Sequence, residues 1–378
     1  MRIRGVRVAG LRGVTPAGGW THDLQPEDCI HTLVAVQTDE GVTGVGSVFA
    51  DVRLVGPAIT VLEPLLVGES ALEPERLTET LHQRTFWLGR GGSVTHAISG
   101  IDLALWDIAG QAAGQPVGRL LGGRYRDRVR PYASILMEEP GPLAEHLASL
   151  KAQGYRAFKM GWGPFGRQST AVDEAIVRAA RAAVGDEALL MVDAGGSDSF
   201  WRQDYKWALR TAAMLATYGV AWFEEPLKPD ALADFAALRQ AAPVPIAAGE
   251  VYTRRQSFWA ALAAGALDVV QPDVTKVGGL SEARRIGWYA QEFGARLIPH
   301  GWNTAVGLAA DLQLASALPD TDLVEYQTGS PYIDGIVAEA WTLDADGMLP
   351  IPETPGLGLT LDLDAVARYS GGTRLVGA

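Results

Sequence analysis

From Arg128 onward the chain repeats one pattern: a short β-rich run, then a helix-like stretch, over and over. The runs are Val129–Leu136, Ala157–Gly161, Ala188–Asp193, Ala221–Glu224, Pro245–Glu250, Asp268–Asp273, Ala295–His300 and Asp322–Tyr326. All but the last are followed by a helical pattern, the signature of parallel βα units. Eight such units close naturally into a barrel. The competing arrangement is an open doubly wound sheet, whose nucleotide-binding form needs a G-x-G-x-x-G turn after its first strand. No such turn follows Leu136.

The flanks read differently. Arg2–Val14 and Ile30–Ser47 alternate apolar and polar residues, as half-buried antiparallel strands do. A Gly/Pro-rich loop from Thr15 separates them, and helical periodicity follows over Ala58–Leu81 and Val94–Gln111. The tail carries Leu343-Asp-Ala-Asp-Gly-Met-Leu and Pro355-Gly-Leu-Gly-Leu, which read as a hairpin and covering loops.

In a barrel of this kind the reactive groups lie at the C-terminal strand ends. Seven consecutive runs end on an ionisable residue: Lys159, Asp193, Glu224, Glu250, Asp273, His300 and Glu325, spaced 34, 31, 26, 23, 27 and 25 residues apart. A lone acidic strand end is often only the cap of the next helix. Seven in series, including a Lys and a His, are not explained that way. Asp193, Glu224 and Glu250 fall on adjacent strands, and three carboxylates in one pocket repel unless a cation sits among them. All-oxygen ligation suits Mg²⁺ better than Zn²⁺. The alternative is a salt-bridge network around the barrel mouth. On the next two strands, Asp273 is placed to orient the imidazole of His300 and raise its basicity.

Composition narrows the function classes. The chain has 378 residues and a formal charge of −12, with no Lys/Arg run to form a face for nucleic acid. Its one cysteine, Cys29, excludes an internal disulfide or a Cys-rich metal site. The N-terminus has no apolar signal-peptide core, and no apolar run reaches the ~20 residues of a membrane helix. The expectation is a soluble cytoplasmic protein.

In combination, these residues resemble the enolase superfamily, specifically its mandelate racemase-like subgroup. The matching segments are Ala97-Ile-Ser-Gly-Ile-Asp-Leu-Ala-Leu-Trp-Asp-Ile-Ala-Gly-Gln, Leu120-Leu-Gly-Gly123, Val192-Asp193, Glu224-Glu-Pro226, Gly249-Glu250, Pro272-Asp273-Val-Thr-Lys276-Val-Gly-Gly279, His300 and Glu325. The resemblance implies an α/β fold: a modified (β/α)7β TIM barrel over 126–330, under an α+β capping domain built from residues 1–125. A C-terminal segment, 331–378, returns to that domain. It further implies Mg²⁺ held by Asp193, Glu224 and Glu250, and removal of the proton α to a carboxylate to give an enediolate bound to the metal. His300 and Asp273 would act as the base and its partner, with Lys159 and Glu325 as further catalytic groups. Relatives are commonly dimers or octamers, so a homo-oligomer is expected.

The sequence departs from the family pattern at two places. Strand two often carries Lys-x-Lys, and here it reads Lys159-Met160-Gly161; an Asn common two residues after the metal Asp is replaced by Gly195. A racemase needs a base on each face of the carbanion, whereas a syn dehydration can use His300 twice, as base and then as acid. The leading expectation is therefore dehydration of a sugar acid to a 2-keto-3-deoxy acid, with an epimerase, racemase or cycloisomerase as the alternative and a non-catalytic ligand sensor behind both. Lys276, three residues past Asp273, reads as structural or as a support behind the site residues. Trp20, His22 and Arg53 in the capping loops are the candidate substrate contacts, with Phe49 and Arg90 near them in the same role.

Overall fold

The structure, a computed structural model, describes residues 1–12, 30–198, 200–339 and 341–376. It opens with an antiparallel sheet of β1 (Ile3–Leu11), β2 (His31–Thr38) and β3 (Thr43–Val48). The run expected over Ile30–Ser47 is thus a hairpin, broken where Gly41 takes φ of 82°. Three helices follow: α1 (Val52–Leu62), α2 (Pro74–Thr85) and α3 (Gly92–Ala113). The helical pattern over Ala58–Leu81 is also divided, because Pro64 enters a 3₁₀ turn after α1, Gly68 turns with φ of 85° and Pro74 starts α2. α3 lies against the sheet so closely that a Cβ on Gly46 would meet the carbonyl oxygen of Gly100 at 1.9 Å.

After the short α4 (Val117–Leu120), the barrel runs β4 (Arg128–Leu136), α5 (Pro140–Ala152), β5 (Ala157–Gly161), α6 (Thr170–Val184), β6 (Leu189–Asp193), α7 (Tyr205–Thr217), β7 (Phe223–Glu224), α8 (Leu232–Ala241) and β8 (Ile246–Ala248). It continues α9 (Arg254–Ala263), β9 (Val269–Val270), α10 (Gly279–Glu292), β10 (Arg296–Leu297), α11 (Ala305–Ala317) and β11 (Leu323–Gln327). The eight strands pair in parallel, with β11 returning to the side of β4. Between β10 and β11 side chains close the ring: the Thr321 hydroxyl donates to the Leu297 carbonyl at 2.8 Å, and the Gly301 N–H to Glu325 Oε2 at 2.7 Å.

The barrel interior is layered. Tyr132, Ala157, Met191, Trp222, Ala247, Val269, Ile298 and Leu323, one from each strand or its immediate flank, form one buried cluster. Side chains two residues apart on a strand share a face. Two residues on from that layer come Ser134, Lys159, Asp193, Glu224, Gly249, Gln271, His300 and Glu325. An apolar floor therefore carries a polar layer directly above it.

The tail departs from the expected hairpin. Asp344 closes a tight turn by accepting the N–H groups of Asp346 and Met348, and β12 (Leu349–Pro350) pairs antiparallel with the start of β4. The short α12 (Pro331–Asp334) precedes this turn; after it, Gly356 bridges to Pro116 and α13 (Leu363–Tyr369) packs on β1.

The capping layer is latched to α10. The N-cap position of α10 is Gly278, which has no side chain to accept from the helix. Asp102 of α3 does so instead: its Oδ2 accepts the Ser281 N–H at 3.0 Å, while its Oδ1 accepts the hydroxyls of Ser281 and Thr78. The Ser99 hydroxyl accepts the Gly278 N–H at 2.8 Å. Gly279 is required here: its φ is 83°, and a Cβ would lie 2.2 Å from Asp102 Oδ2.

Candidate active site

The polar layer and the two residues just beyond it converge. Asp193, Glu224 and Glu250 are buried, and each offers a carboxylate oxygen within 4.8 Å of the others. Glu224 and Asp193 belong to the layer by pleat register; Glu250 enters one residue late, after Gly249 turns the chain with φ of 136°. Burial first, and then the charge of Glu224, hold the Asp193 carboxyl well above the usual carboxylate range. A divalent cation would remove that repulsion. The donor set, three carboxylate oxygens and no sulfur or nitrogen, fits a hard ion such as Mg²⁺.

The triad is held from behind. Glu224 Oε2 accepts from Trp222 Nε1 at 2.9 Å and Gln271 Nε2 at 2.7 Å. Asp193 Oδ1 accepts the Gly195 N–H at 2.7 Å, and its Oδ2 accepts Trp162 Nε1 at 3.1 Å. Lys159 lies 2.5 Å from Glu224 Oε1, 3.0 Å from Glu325 Oε1 and 4.0 Å from Asp193 Oδ2. Burial works against its charge, but Glu224 and Glu325 outweigh burial and raise its pKa. Glu325 also accepts the Ser134 hydroxyl at 2.6 Å; although burial opposes its ionisation, Lys159 and His300 keep it below its ordinary value.

His300 Nδ1 is 2.8 Å from Asp273 Oδ2. An ionised carboxylate only accepts, so this contact places a proton on Nδ1 and turns Nε2 toward Glu250 Oε2, 3.4 Å away. Burial lowers the affinity of His300 for a proton, but Glu250, Glu325 and Asp273 together raise it. Asp273 itself is fixed by the N–H and hydroxyl of Thr275, at 2.7 and 2.6 Å. Burial disfavours its charge, and the His300 hydrogen bond and Lys276 reverse that, leaving its carboxyl well below the usual range.

These groups open onto a cavity of about 210 Å³. Lys159, Asp193, Glu250, Lys276 and His300 line it, together with Phe49 from the capping layer and the indoles of Trp162 and Trp302. Lys276, read from the sequence as structural or as a support behind the site, is thus a cavity residue. Arg53 is not among the lining residues; it sits at the start of α1 and pairs with Asp51 at 2.6 Å, with its side chain 75% exposed. Trp20 and His22 lie outside the described residues. Trp162, which takes φ of 62°, lines the cavity although nothing in the pattern of strand ends marks it. The neighbouring Gly161 has no space for a side chain, since a Cβ there would meet the Asp193 side chain at 2.9 Å. A second lysine at that position is incompatible with Asp193 as it stands.

Comparison with known proteins agrees with this architecture. Residues 142–365 match the enolase C-terminal domain-like family model, and residues 27–122 match the mandelate racemase / muconate lactonizing enzyme N-terminal domain. The chain is 33% identical over 354 residues to D-galactarolactone cycloisomerase of Agrobacterium fabrum, covering 90% of this chain and 91% of the relative. It is 34% identical over 357 residues to D-xylonate dehydratase of Haloferax volcanii, covering 89% and 84%. The crystal structure of 3,6-anhydro-D-galactonate cycloisomerase from Zobellia galactanivorans superposes with a TM-score of 0.87 at 30% identity, over 98% of this chain and 99% of that one. With both domains matched and the acidic triad and the His300–Asp273 pair assembled at one barrel mouth, the chain belongs to the mandelate racemase / muconate lactonizing enzyme family of the enolase superfamily.

Proposed function

We propose that this enzyme is a Mg²⁺-dependent sugar-acid dehydratase, converting an aldonate or aldarate to a 2-keto-3-deoxy acid. The observation that carries the reading is the asymmetry of the cavity. Among the described residues one base, His300, is oriented by Asp273, whereas the β5 side presents Lys159, whose ammonium is held by Glu224 and Glu325, and then Gly161 and the indole of Trp162, neither of which exchanges a proton. A 1,1-proton transfer needs two bases, and a syn elimination needs one.

Asp193, Glu224 and Glu250 would hold the ion. Mg²⁺ bound there supplies positive charge against which a substrate carboxylate gains a second negative charge. Lys159 adds a fixed cation at the same end, kept charged and in place by Glu224 and Glu325. His300 Nε2 removes the α-proton, and Asp273 stabilises the resulting imidazolium. The same imidazolium returns the proton to the hydroxyl leaving the β-carbon, and the enol becomes the keto acid.

A cycloisomerase is the second reading, favoured by the names of two of the relatives above and by the aromatic walls of Phe49, Trp162 and Trp302, which suit the face of a ring. The α-proton step is common to both readings; the departing oxygen would then belong to a ring. A homo-oligomer is part of the proposal, supported by exposed Phe86, Trp87 and Leu88 and by exposed Trp259, Trp288 and Phe293.

The test is a panel of mono- and diacid sugars with Mg²⁺, with detection of 2-keto products. Release of a 2-keto-3-deoxy acid by the wild type, and its loss in His300→Asn with Mg²⁺ binding retained, are expected. Turnover of the His300→Asn variant at the wild-type rate would refute the mechanism.

A further inference from the structure

Two lysines line the cavity, and their surroundings differ. Lys159 has carboxylate acceptors at 2.5 and 3.0 Å. Lys276, with a side chain only 10% exposed, has none at hydrogen-bond distance among the described residues. Its closest ionic partner is Asp273 Oδ2 at 3.9 Å, an oxygen already engaged by His300 Nδ1 at 2.8 Å. Its ammonium lies 4.3 Å from the ring centroid of Phe49, so an aromatic face backs it where water would otherwise solvate it. A nearly buried ammonium with unfilled donors at a cavity wall is built to meet oxygen on a ligand.

Its position says which oxygen. Lys276 follows β9 and flanks Asp273, on the His300 side of the cavity. In the mechanism above, the metal triad and Lys159 attend the carboxylate. The His300 side meets the carbon chain, where the β-oxygen must leave on the face that lost the α-proton. We propose that Lys276 is a further catalytic residue, binding the departing β-oxygen, and that it selects substrates bearing an oxygen on that carbon and face.

This rests on the elimination reading. His300 takes the α-proton and the bond from the β-carbon to oxygen breaks, its electron pair going to oxygen. Lys276 donates hydrogen bonds to that oxygen as its charge grows, without giving up a proton. The proton taken by His300 then completes a water molecule, or a hydroxyl where the oxygen belonged to a ring. The enol loses its O–H proton and gains one at the former β-carbon, yielding the keto acid.

The proposal separates two steps that one assay reads apart. With a substrate identified in the panel and in D₂O, Lys276→Met is expected to lose about 10²–10³-fold in kcat for elimination, the usual effect of removing one donor from a developing oxyanion. Its recovered substrate should still gain deuterium at the α-carbon, because the His300–Asp273 hydrogen bond that orients the base does not involve Lys276. Lys276→Arg, which keeps the charge and the donors, should recover part of the elimination rate and guards against misfolding of the Met variant. Loss of exchange and elimination together in both variants would overturn the assignment, as would a rise in KM with kcat unchanged. A wild type that neither exchanges nor eliminates with any acid in the panel, while still binding Mg²⁺, would refute the dehydratase reading itself and the assignment with it.

Discussion

Replacing Lys159 by Met should uncouple stability from metal binding in a defined direction. Lys159 Nζ is 2.5 Å from Glu224 and 3.0 Å from Glu325, and all three side chains are at most 4% exposed. At an effective dielectric of about 20, those distances correspond to gross attractions of roughly 7 and 6 kcal/mol. Most of that offsets the desolvation of the three ions, so the cost of deleting one member of a buried cluster is about 3–5 kcal/mol. At about 2 cal/mol/K per residue of unfolding entropy, the metal-free variant should melt roughly 4–6 °C below the metal-free wild type. Saturating Mg²⁺ should recover part of that loss, because the ion compensates Glu224 and Asp193 but leaves Glu325 without its cation. The same variant should bind Mg²⁺ at least as tightly as wild type, since an ammonium no longer competes for Glu224 Oε1, yet turn over no substrate. Scanning calorimetry with and without EDTA, Mg²⁺ titration calorimetry and a turnover assay together measure all four. A variant with the wild-type melting temperature in EDTA, or with weakened Mg²⁺ binding, would show that Lys159 does not balance these carboxylates.

Two further outcomes bear on the frame around the site. Gly279→Ala should destabilise by about 2–3 kcal/mol and lower turnover, because the added Cβ overlaps Asp102 and the positive φ disfavours Ala; chemical denaturation checks it. His82, buried on α2 with Nε2 unpartnered among the described residues, is pushed down to about 3, by burial first and then by the charge of Arg254. Its folded pKa lies below its unfolded value, so its contribution is complete above about pH 6.5 and shrinks as pH falls toward 3. At pH 5 that amounts to roughly 2 kcal/mol, and His82→Leu should flatten the stability profile between pH 7 and 5.

The site was legible because its chemistry rides on a period of two. Lys159, Asp193, Glu224, His300 and Glu325 each sit two residues above a floor residue, so strand ends read in order gave the layer. Only two residues of β7, β9 and β10 form ladder pairs, yet the runs read from the sequence were longer, because the apolar pattern continues through extended backbone without ladder partners. Contacts between the capping layer and the barrel left no such trace. Asp102 and Ser281 are 179 residues apart, and no periodicity links them. Phe49 reaches the cavity from the capping layer, whereas Arg53, four residues on, turns away to pair with Asp51, the N-cap of α1. Trp162 was opaque for a local reason: a tryptophan in left-handed backbone has no propensity signal.

The helix behind Lys276 has a consequence for how this enzyme can be divided. α10 takes the acceptor for its first turn from Asp102, a residue of the other domain. A barrel expressed by itself would start that helix with its leading amides exposed, one turn beyond the loop that carries Asp273 and Lys276. The two domains are therefore not interchangeable modules. Fragments mixed in a test tube should become competent only when they reassociate, and a capping domain grafted from another family member will serve only if it brings a carboxylate to the same spot.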